Sequence, residues 1–213
     1  MFKYDLSEIS PSHTDLAKKV SRRINDTYRF EHTLSVTREC SVLAEIFSLS
    51  SEDTERLFTA ALLHDIAKGL SLEEYLAFDK KYSIGFTKGD LESPAVLHAK
   101  AGAAVAQNEF SDICDETVVT AIRQHTTGDE NMSLISKLLF LADYIEPTRS
   151  WESCKATRER FYSKMRTLGE PIRVLDETIL EILESTETHL KESGKKVHPD
   201  AARCKDFILK TIE

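Results

Sequence analysis

The sequence predicts an all-α protein, and two observations carry this prediction. Apolar residues recur at intervals of three and four in successive segments, as they do along the buried face of a helix. No segment shows sustained alternation of apolar and polar residues, which is the pattern of a half-buried strand. The 213 residues are enough to bury a substantial core. We therefore expect one domain over residues 1–213, built as a helical bundle.

Capping residues and helix breakers predict the helices of the first half of the chain. An N-terminal helix is expected within residues 1–25, and a second helix has His32 at its start. A third helix begins at Ser50 and continues through an apolar stretch until Gly69, and a short fourth helix follows. The segment 82–92 contains two glycines, so it is predicted to be a loop that acts as a lid.

The second half follows the same rules. Each of its clearest helices is predicted to begin at a capping residue or a proline: Ser93, Asp115, Ser133 and Pro171. The helix that begins at Pro171 has helical spacing over about five turns, and a turn at 197–199 separates it from a last helix. We expect the helices of residues 170–213 to pack on the core.

Charge and cysteine content exclude several classes of protein. The formal charge of -8 argues against a nucleic-acid partner, because a sequence-independent binder needs a basic surface. No window approaches the roughly 18 apolar residues of a membrane span, so no membrane partner is expected. The four cysteines form no Cys-x-x-Cys pair, which favours reduced thiols in the cytoplasm. The sequence leaves open whether two chains form a homodimer.

The stretch at residues 60–68 is the most informative one in the chain. A run of alanine and leucine ends there in the pair His64-Asp65, and Lys68 follows three residues later. An ionised carboxylate is costly to bury without a partner, so this helix end needs a compensating charge. A metal ion is the simplest group that supplies it.

Six residues share the property of lying on, or at the end of, an otherwise apolar or small-residue helix: His32, His64, Asp65, His98, His125 and Asp143. A helical bundle can bring such positions to one point. A single buried histidine is more often a hydrogen-bonded core residue, so the ordered set is what predicts a metal site. Imidazole and carboxylate ligands without thiolate suit iron, manganese, magnesium or zinc used for hydrolysis.

This ordered set resembles the signature of the HD superfamily of metal-dependent phosphohydrolases, whose members are all-helical. Four longer strings are similar to those of the YqeK-type bacterial HD proteins, a family of symmetrical diadenosine tetraphosphate hydrolases: residues 29–33, 61–68, 121–128 and 141–147. The resemblance covers most of the chain, from about Arg29 to the turn at 197–199. The chain departs from the family at Ala99-Lys100, where members commonly have Gly-Pro, and it retains Gly102.

The resemblance implies cleavage of diadenosine tetraphosphate to two ADP molecules by a metal-activated hydroxide that attacks phosphorus. It implies one or two iron ions, with four ligands for the first: His32, His64, Asp65 and Asp143. His98 and His125 then either complete a second metal site or contact the phosphates. Asp65 is also expected to bridge the metals or to orient the hydroxide. The developing charge needs fixed cations, and Lys68, Arg29 and Arg149 are the candidates.

One ADP half of the substrate is expected to lie in a pocket, with few contacts beyond that half. Its predicted lining is Arg29, Lys68, His98, His125, Thr126, Thr127, Arg149, Lys195, Lys196, Val197, His198 and Pro199. From the sequence alone, residues 126–128 could equally be a plain helix cap. The turn at 195–199 could equally be a solvated basic turn.

Two other functions compete with this one. The first is an HD-type phosphohydrolase for another nucleotide, such as a nucleoside monophosphate or a cyclic dinucleotide. The second is a regulatory module that binds a metal and a nucleotide without catalysis. Lys68 beside a complete ligand set argues against the module, because a sensor does not need an activated water.

Overall fold

The computed structural model describes residues 11–24 and 26–212, and all regular elements in these ranges are helical. The α-helices are α1 (Thr14–Ile24), α2 (Thr27–Ile46), α3 (Ser51–Leu63), α4 (Leu72–Tyr82), α5 (Lys88–Glu92), α6 (Leu97–Glu109), α7 (Glu116–Gln124), α8 (Leu134–Ile145), α9 (Glu152–Thr167), α10 (Pro171–Glu192) and α11 (Pro199–Ile212). The all-α prediction is confirmed. Within the described ranges, no helix has the length and apolar character that crossing a bilayer requires. The first ten residues of the predicted N-terminal segment lie outside the described part.

Helix α3 lies at the centre of the bundle. It packs against α2, α7 and α8, and α6 packs against α7. Its last turns are closed off from solvent, and Leu57, Leu62 and Leu63 are fully buried. Helix α10 covers α8 and also contacts α9 and α11. The chain that leaves α3 therefore emerges inside the protein, which is where His64 and Asp65 lie.

Helix α3 ends at Leu63, earlier than the sequence predicts. The Nδ1 atom of His64 contacts the carbonyl oxygen of Ala61 at 2.6 Å, so the side chain satisfies an acceptor that another helical turn would use. Tighter hydrogen bonds follow, from Ile66 N to Leu63 O and from Lys68 N to Asp65 O, both at 3.0 Å. Asp65 and Lys68 thus lie on a compact turn.

Helix α2 begins earlier than predicted, at Thr27. The side chain of Asp26 accepts a hydrogen bond from the backbone N–H of Arg29 at 3.0 Å and caps the helix. His32 therefore lies in the second turn of α2 and not at its start. This position directs a residue of a rigid, buried helix toward the end of α3.

The prediction of a loop over residues 82–92 is wrong for its second half, which forms α5. Thr87 and Asp90 make a reciprocal capping box there, with N–H to oxygen distances of 3.2 and 2.7 Å. Gly89 suggested a loop, but its role is close packing, since a Cβ atom there would lie 3.0 Å from Cδ of Pro199. This segment is consequently fixed against the start of α11.

Candidate metal centre

The structure brings all six predicted ligand residues together at the end of α3. Their ligand atoms form two groups, one of His32, His64 and Asp143 and the other of Asp65, His98 and His125. Within each group, the ligand atoms lie within 4.8 Å of one another. The residues come from α2, α6 and α8 and from the ends of α3 and α7, so the bundle itself assembles the centre.

Asp65 lies between the two groups. Its Oδ2 atom is 3.9 Å from Nε2 of His32 and 3.6 Å from Nε2 of His64. Its Oδ1 atom is 3.4 Å from Nε2 of His98 and 3.8 Å from Nε2 of His125. Each oxygen of this buried carboxylate thus faces a different pair of imidazoles.

All four imidazoles of the centre hydrogen-bond through Nδ1, which fixes the tautomer of each ring when it is neutral. The Nδ1 atoms of His64, His98 and His125 contact the carbonyl oxygen three residues earlier, at 2.6, 2.8 and 2.6 Å. The Nδ1 atom of His32 contacts a carboxylate oxygen of Glu146 at 3.0 Å. Because these oxygens accept hydrogen bonds, each Nδ1 carries a proton and each Nε2 of a neutral ring presents a lone pair to the centre.

The electrostatics of the centre favour a cation. Burial, together with the neighbouring His125, lowers the pKa of His98 to about 3, so this ring is neutral. Burial of Asp65 opposes ionisation, but His64 and Lys68 nearby hold the pKa of this carboxyl below its usual range. Burial also opposes protonation of His32, yet hydrogen bonding to carboxylates raises its pKa to about 9. A cation that binds His32 therefore displaces a proton.

His64 provides the test of whether these residues fit a metal ion. Its side chain is fully buried, and Nε2 has no hydrogen-bond partner among the described residues. An orphaned buried nitrogen is costly in a folded protein, and a metal ion removes that cost. The imidazole and carboxylate donor set fits a divalent ion of the kind used in hydrolysis.

Glu146 is a site residue that the sequence analysis missed. In the sequence it marks only the end of a helix before a proline, but its side chain is fully buried and contacts Nδ1 of His32 at 3.0 Å. Its oxygens also accept hydrogen bonds from the backbone N–H and the hydroxyl of Thr148, both at 2.6 Å. A carboxylate that accepts from a ligand histidine fixes the ring and raises its basicity.

Replacing Glu146 by glutamine is expected to weaken metal binding or activity by about 10- to 100-fold, the usual effect of losing such a carboxylate. Competition with a chelator measures the metal affinity. Glu39→Gln is the matched control, because Glu39 is also a buried carboxylate of a polar network, with Tyr162, outside the centre. Equal metal affinity and activity in wild type and Glu146→Gln would contradict this role.

The three predicted cationic residues have different positions. Lys68 donates a hydrogen bond to Oδ1 of Asp65 at 3.1 Å and lies 3.0 Å from Oδ2. Arg149 donates to Oδ1 of Asp143 at 2.6 Å. Arg29 instead donates to the carbonyl oxygen of Lys68 at 2.7 Å, so it holds the turn that carries the lysine. Two of the three cations therefore contact carboxylates of the centre.

The two threonines after His125 have different hydrogen-bond partners. The hydroxyl of Thr126 lies 3.1 Å from Nε2 of His125 and 3.4 Å from Nε2 of His98, at the centre itself. Thr127 is buried, and its hydroxyl donates to the carbonyl oxygen of Gly128 at 3.0 Å. Thr126 is thus placed to contact a ligand of the centre, whereas Thr127 serves the local turn.

The turn at 195–199 is docked on α5. His198 is buried, with Nε2 3.1 Å from Oδ1 of Asp90, and Lys196 Nζ is 2.9 Å from Glu92. Lys195 lines a cavity of about 550 Å³ between this turn and residues 93–96. Val197 lines a smaller cavity, of about 110 Å³, that reaches His125 and Asp143. Pro199 packs on Gly89.

Comparisons with known proteins agree with this geometry. Residues 29–148 match the model of the HD domain family. The chain is 32% identical, over 90% of its own length and 92% of the relative, to a protein of Staphylococcus aureus (strain NCTC 8325 / PS 47) named symmetrical bis(5'-nucleosyl)-tetraphosphatase. A Bacillus subtilis (strain 168) protein of the same name is 31% identical over 85% of this chain and 90% of the relative.

A solved structure is similar over almost the whole chain. It is the crystal structure of a predicted HD superfamily hydrolase involved in NAD metabolism from Clostridium acetobutylicum. The TM-score is 0.80 at 25% sequence identity, and the match covers 93% of this chain and 97% of the other. The similarity therefore includes the helices on both sides of the metal centre.

Proposed function

The chain belongs to the HD domain family, and from this premise we propose that it is a metal-dependent hydrolase that cleaves diadenosine tetraphosphate symmetrically to two ADP molecules. The relatives of S. aureus and B. subtilis, of which the match covers 92% and 90%, carry the name of this activity. One observation in the structure supports the proposal most strongly. The carboxylate of Asp65 faces both groups of imidazoles and also accepts a hydrogen bond from the ammonium group of Lys68.

We assign the metal ligands by the two groups. His32, His64 and Asp143 would hold one ion, with Oδ2 of Asp65 on the side of this group. His98 and His125 would hold a second ion with Asp65, because their Nε2 atoms face Oδ1 of this residue. Iron is the metal we propose, with manganese, magnesium and zinc as the competitors that elemental analysis distinguishes.

The reaction is derived from the residues around the centre. A divalent ion held by these residues would lower the pKa of a coordinated water towards neutrality and so supply the nucleophile. Displacement at phosphorus builds charge on the equatorial and leaving oxygens, and that charge needs fixed cations. Lys68 and Arg149 provide them, since each already contacts a carboxylate of the centre. The hydroxyl of Thr126 offers a hydrogen bond to a phosphate oxygen beside the two imidazoles.

Symmetrical cleavage requires attack at a phosphate next to the central bridging oxygen. We propose that one ADP half lies in the cavity bordered by Lys195, with its phosphates directed along Val197 toward the centre. His198 positions this turn through Asp90. Arg29 supports Lys68 through the backbone. The substrate is a small nucleotide, and we place the reaction in the cytoplasm, consistent with four free, buried cysteines.

The test is product analysis with the full chain loaded separately with each metal. We expect diadenosine tetraphosphate to yield ADP as the sole nucleotide product, and a chelator to abolish turnover until metal is restored. Formation of AMP with ATP would contradict symmetrical cleavage. Unchanged diadenosine tetraphosphate beside turnover of a nucleoside monophosphate or a cyclic dinucleotide would favour the other phosphohydrolase. Nucleotide binding without any turnover would favour the regulatory module.

A further inference from the structure

A second cavity, separate from the one bordered by Lys195, lies between α8, the start of α9 and α10. Its volume is about 630 Å³, and its lining consists of Tyr144, Trp151, Ser153, Cys154, Ser185, Thr186 and His189. Small-molecule sites typically measure about 300–1,000 Å³, so this cavity has the size of one. We refer to it below as the α10 cavity.

The α10 cavity adjoins the metal centre. Tyr144 and Thr186 also line the small cavity that reaches His125 and Asp143, so the two spaces share a wall. The guanidinium of Arg149, which donates to Asp143, lies 5.5 Å from the centre of the Trp151 ring. A ligand could therefore extend from the metal centre past Arg149 and reach the indole.

The small cavity at the metal centre also borders the cavity that Lys195 lines. Leu190 lines both the small cavity and the cavity bordered by Lys195. Residues of α10 thus line three spaces in succession, with the one at the metal centre in the middle. A long ligand with two similar ends would fit such an arrangement with its middle at the centre.

The lining of the α10 cavity suits an uncharged, aromatic ligand group. It contains no Asp, Glu, Lys or Arg, but it offers two aromatic rings, an imidazole, the phenolic hydroxyl of Tyr144 and three aliphatic hydroxyl groups. Trp151 is 65% exposed, although a large indole is costly to leave in water. Nucleobases stack on such rings, and hydroxyl groups hydrogen-bond to a ribose or a base edge. The cations needed by phosphates lie instead nearer the centre, at Arg149 and Lys68.

We propose that the α10 cavity binds the second nucleoside of the dinucleoside tetraphosphate, with its base stacked on Trp151. The inference rests on the proposed function and adds a site to it, because the sequence predicts few contacts beyond one ADP half. Two nucleosides held on either side of the centre place the middle of the phosphate chain over Asp65. The site thereby contributes to the choice of the central phosphates for attack.

The test compares two substrates that differ only in the second nucleoside, diadenosine tetraphosphate and adenosine 5'-tetraphosphate. Trp151→Ala removes the stacking surface, and its side chain makes no capping hydrogen bond to α9. Ser185→Tyr fills the cavity from an exposed position of α10. Leu168→Ala is the control, since this exposed apolar side chain lies at the opposite end of α9.

We expect both variants to lower kcat/KM for diadenosine tetraphosphate by about 5- to 100-fold, the value of stacking one base on an aromatic ring. The kcat/KM for adenosine 5'-tetraphosphate should change by less than about threefold on this scale, and Leu168→Ala should change neither substrate. If the ratio of the two kcat/KM values is unchanged in both variants, the second site is overturned. This includes an equal loss for both substrates, which would mean that the substitutions act by displacing Arg149 and not by removing a nucleoside site. A wild-type protein that does not cleave diadenosine tetraphosphate would instead overturn the proposed function.

Discussion

Replacing Asp65 by alanine is expected to abolish turnover and to reduce bound metal, while the helices stay folded. The reason is the position of this carboxylate, whose two oxygens face different pairs of imidazoles at 3.4–3.9 Å. Its removal takes a donor from both groups and the counter-charge from Lys68. Because Asp65 follows the end of α3 and caps no helix, its loss leaves the backbone hydrogen bonds of the bundle in place.

The expected loss in kcat is more than about 10³-fold, larger than the 10- to 100-fold effect of altering a residue behind a ligand. Elemental analysis after gel filtration measures the metal, and far-UV circular dichroism measures the helix content. Asp112→Ala serves as the control, since Asp112 is an exposed carboxylate outside the centre. Normal turnover by Asp65→Ala would refute the metal assignment.

The centre could be predicted from the sequence because its chemistry conflicts with its surroundings. Each of the six residues is a polar side chain at a position where the helical pattern predicts a buried apolar or small residue. The sequence therefore identifies each of them as a buried polar group that needs a partner. A bridging role for Asp65 is among the expectations from the sequence, whereas the pairing of each of its oxygens with particular imidazoles could not be predicted. It depends on how far α3 continues, and the early end at Leu63 comes from the hydrogen bond of the His64 ring to its own helix.

Two features escaped the sequence analysis for a common reason. Glu146 acts on His32 across 114 positions, and Asp90 contacts His198 across 108 positions. In its local sequence, Glu146 marks only a helix end before a proline. Asp90 lies in a segment that contains two glycines. Contacts between residues so far apart in sequence depend on how the helices pack. Helix caps and helical periodicity depend instead on neighbouring residues, so the sequence alone can predict them.

The α10 cavity is a further example of this difference. Its lining comes from the end of α8, the start of α9 and one face of α10, and of these residues only Tyr144 lies in one of the family-like strings. Locally, His189 is only a basic residue in the last turn of α10, where a positive charge suits the end of a helix. The structure places it on the wall of a space beside the metal centre. Specificity for the second half of a substrate is thus a property of packing.

Replacing Lys68 by alanine is expected to slow hydrolysis by about 10²- to 10³-fold with the metal content unchanged, the usual effect of removing a group that stabilises transition-state charge. The ammonium group contacts Asp65 but occupies no ligand position, and its side chain is 35% exposed. It can therefore meet a phosphate oxygen at the opening of the centre without being needed to hold an ion. Steady-state kinetics and elemental analysis of the same preparations separate the two roles.

Two further variants sharpen this test. Lys68→Arg keeps the charge but changes its shape, so a partial recovery of kcat is expected. Lys80→Ala removes an exposed lysine of α4 and should leave both activity and metal unchanged. Loss of metal from Lys68→Ala would show that the lysine maintains the geometry of Asp65. Retained metal with reduced kcat would instead mean that this cation acts on the phosphates, because the ligand set would then be complete without it.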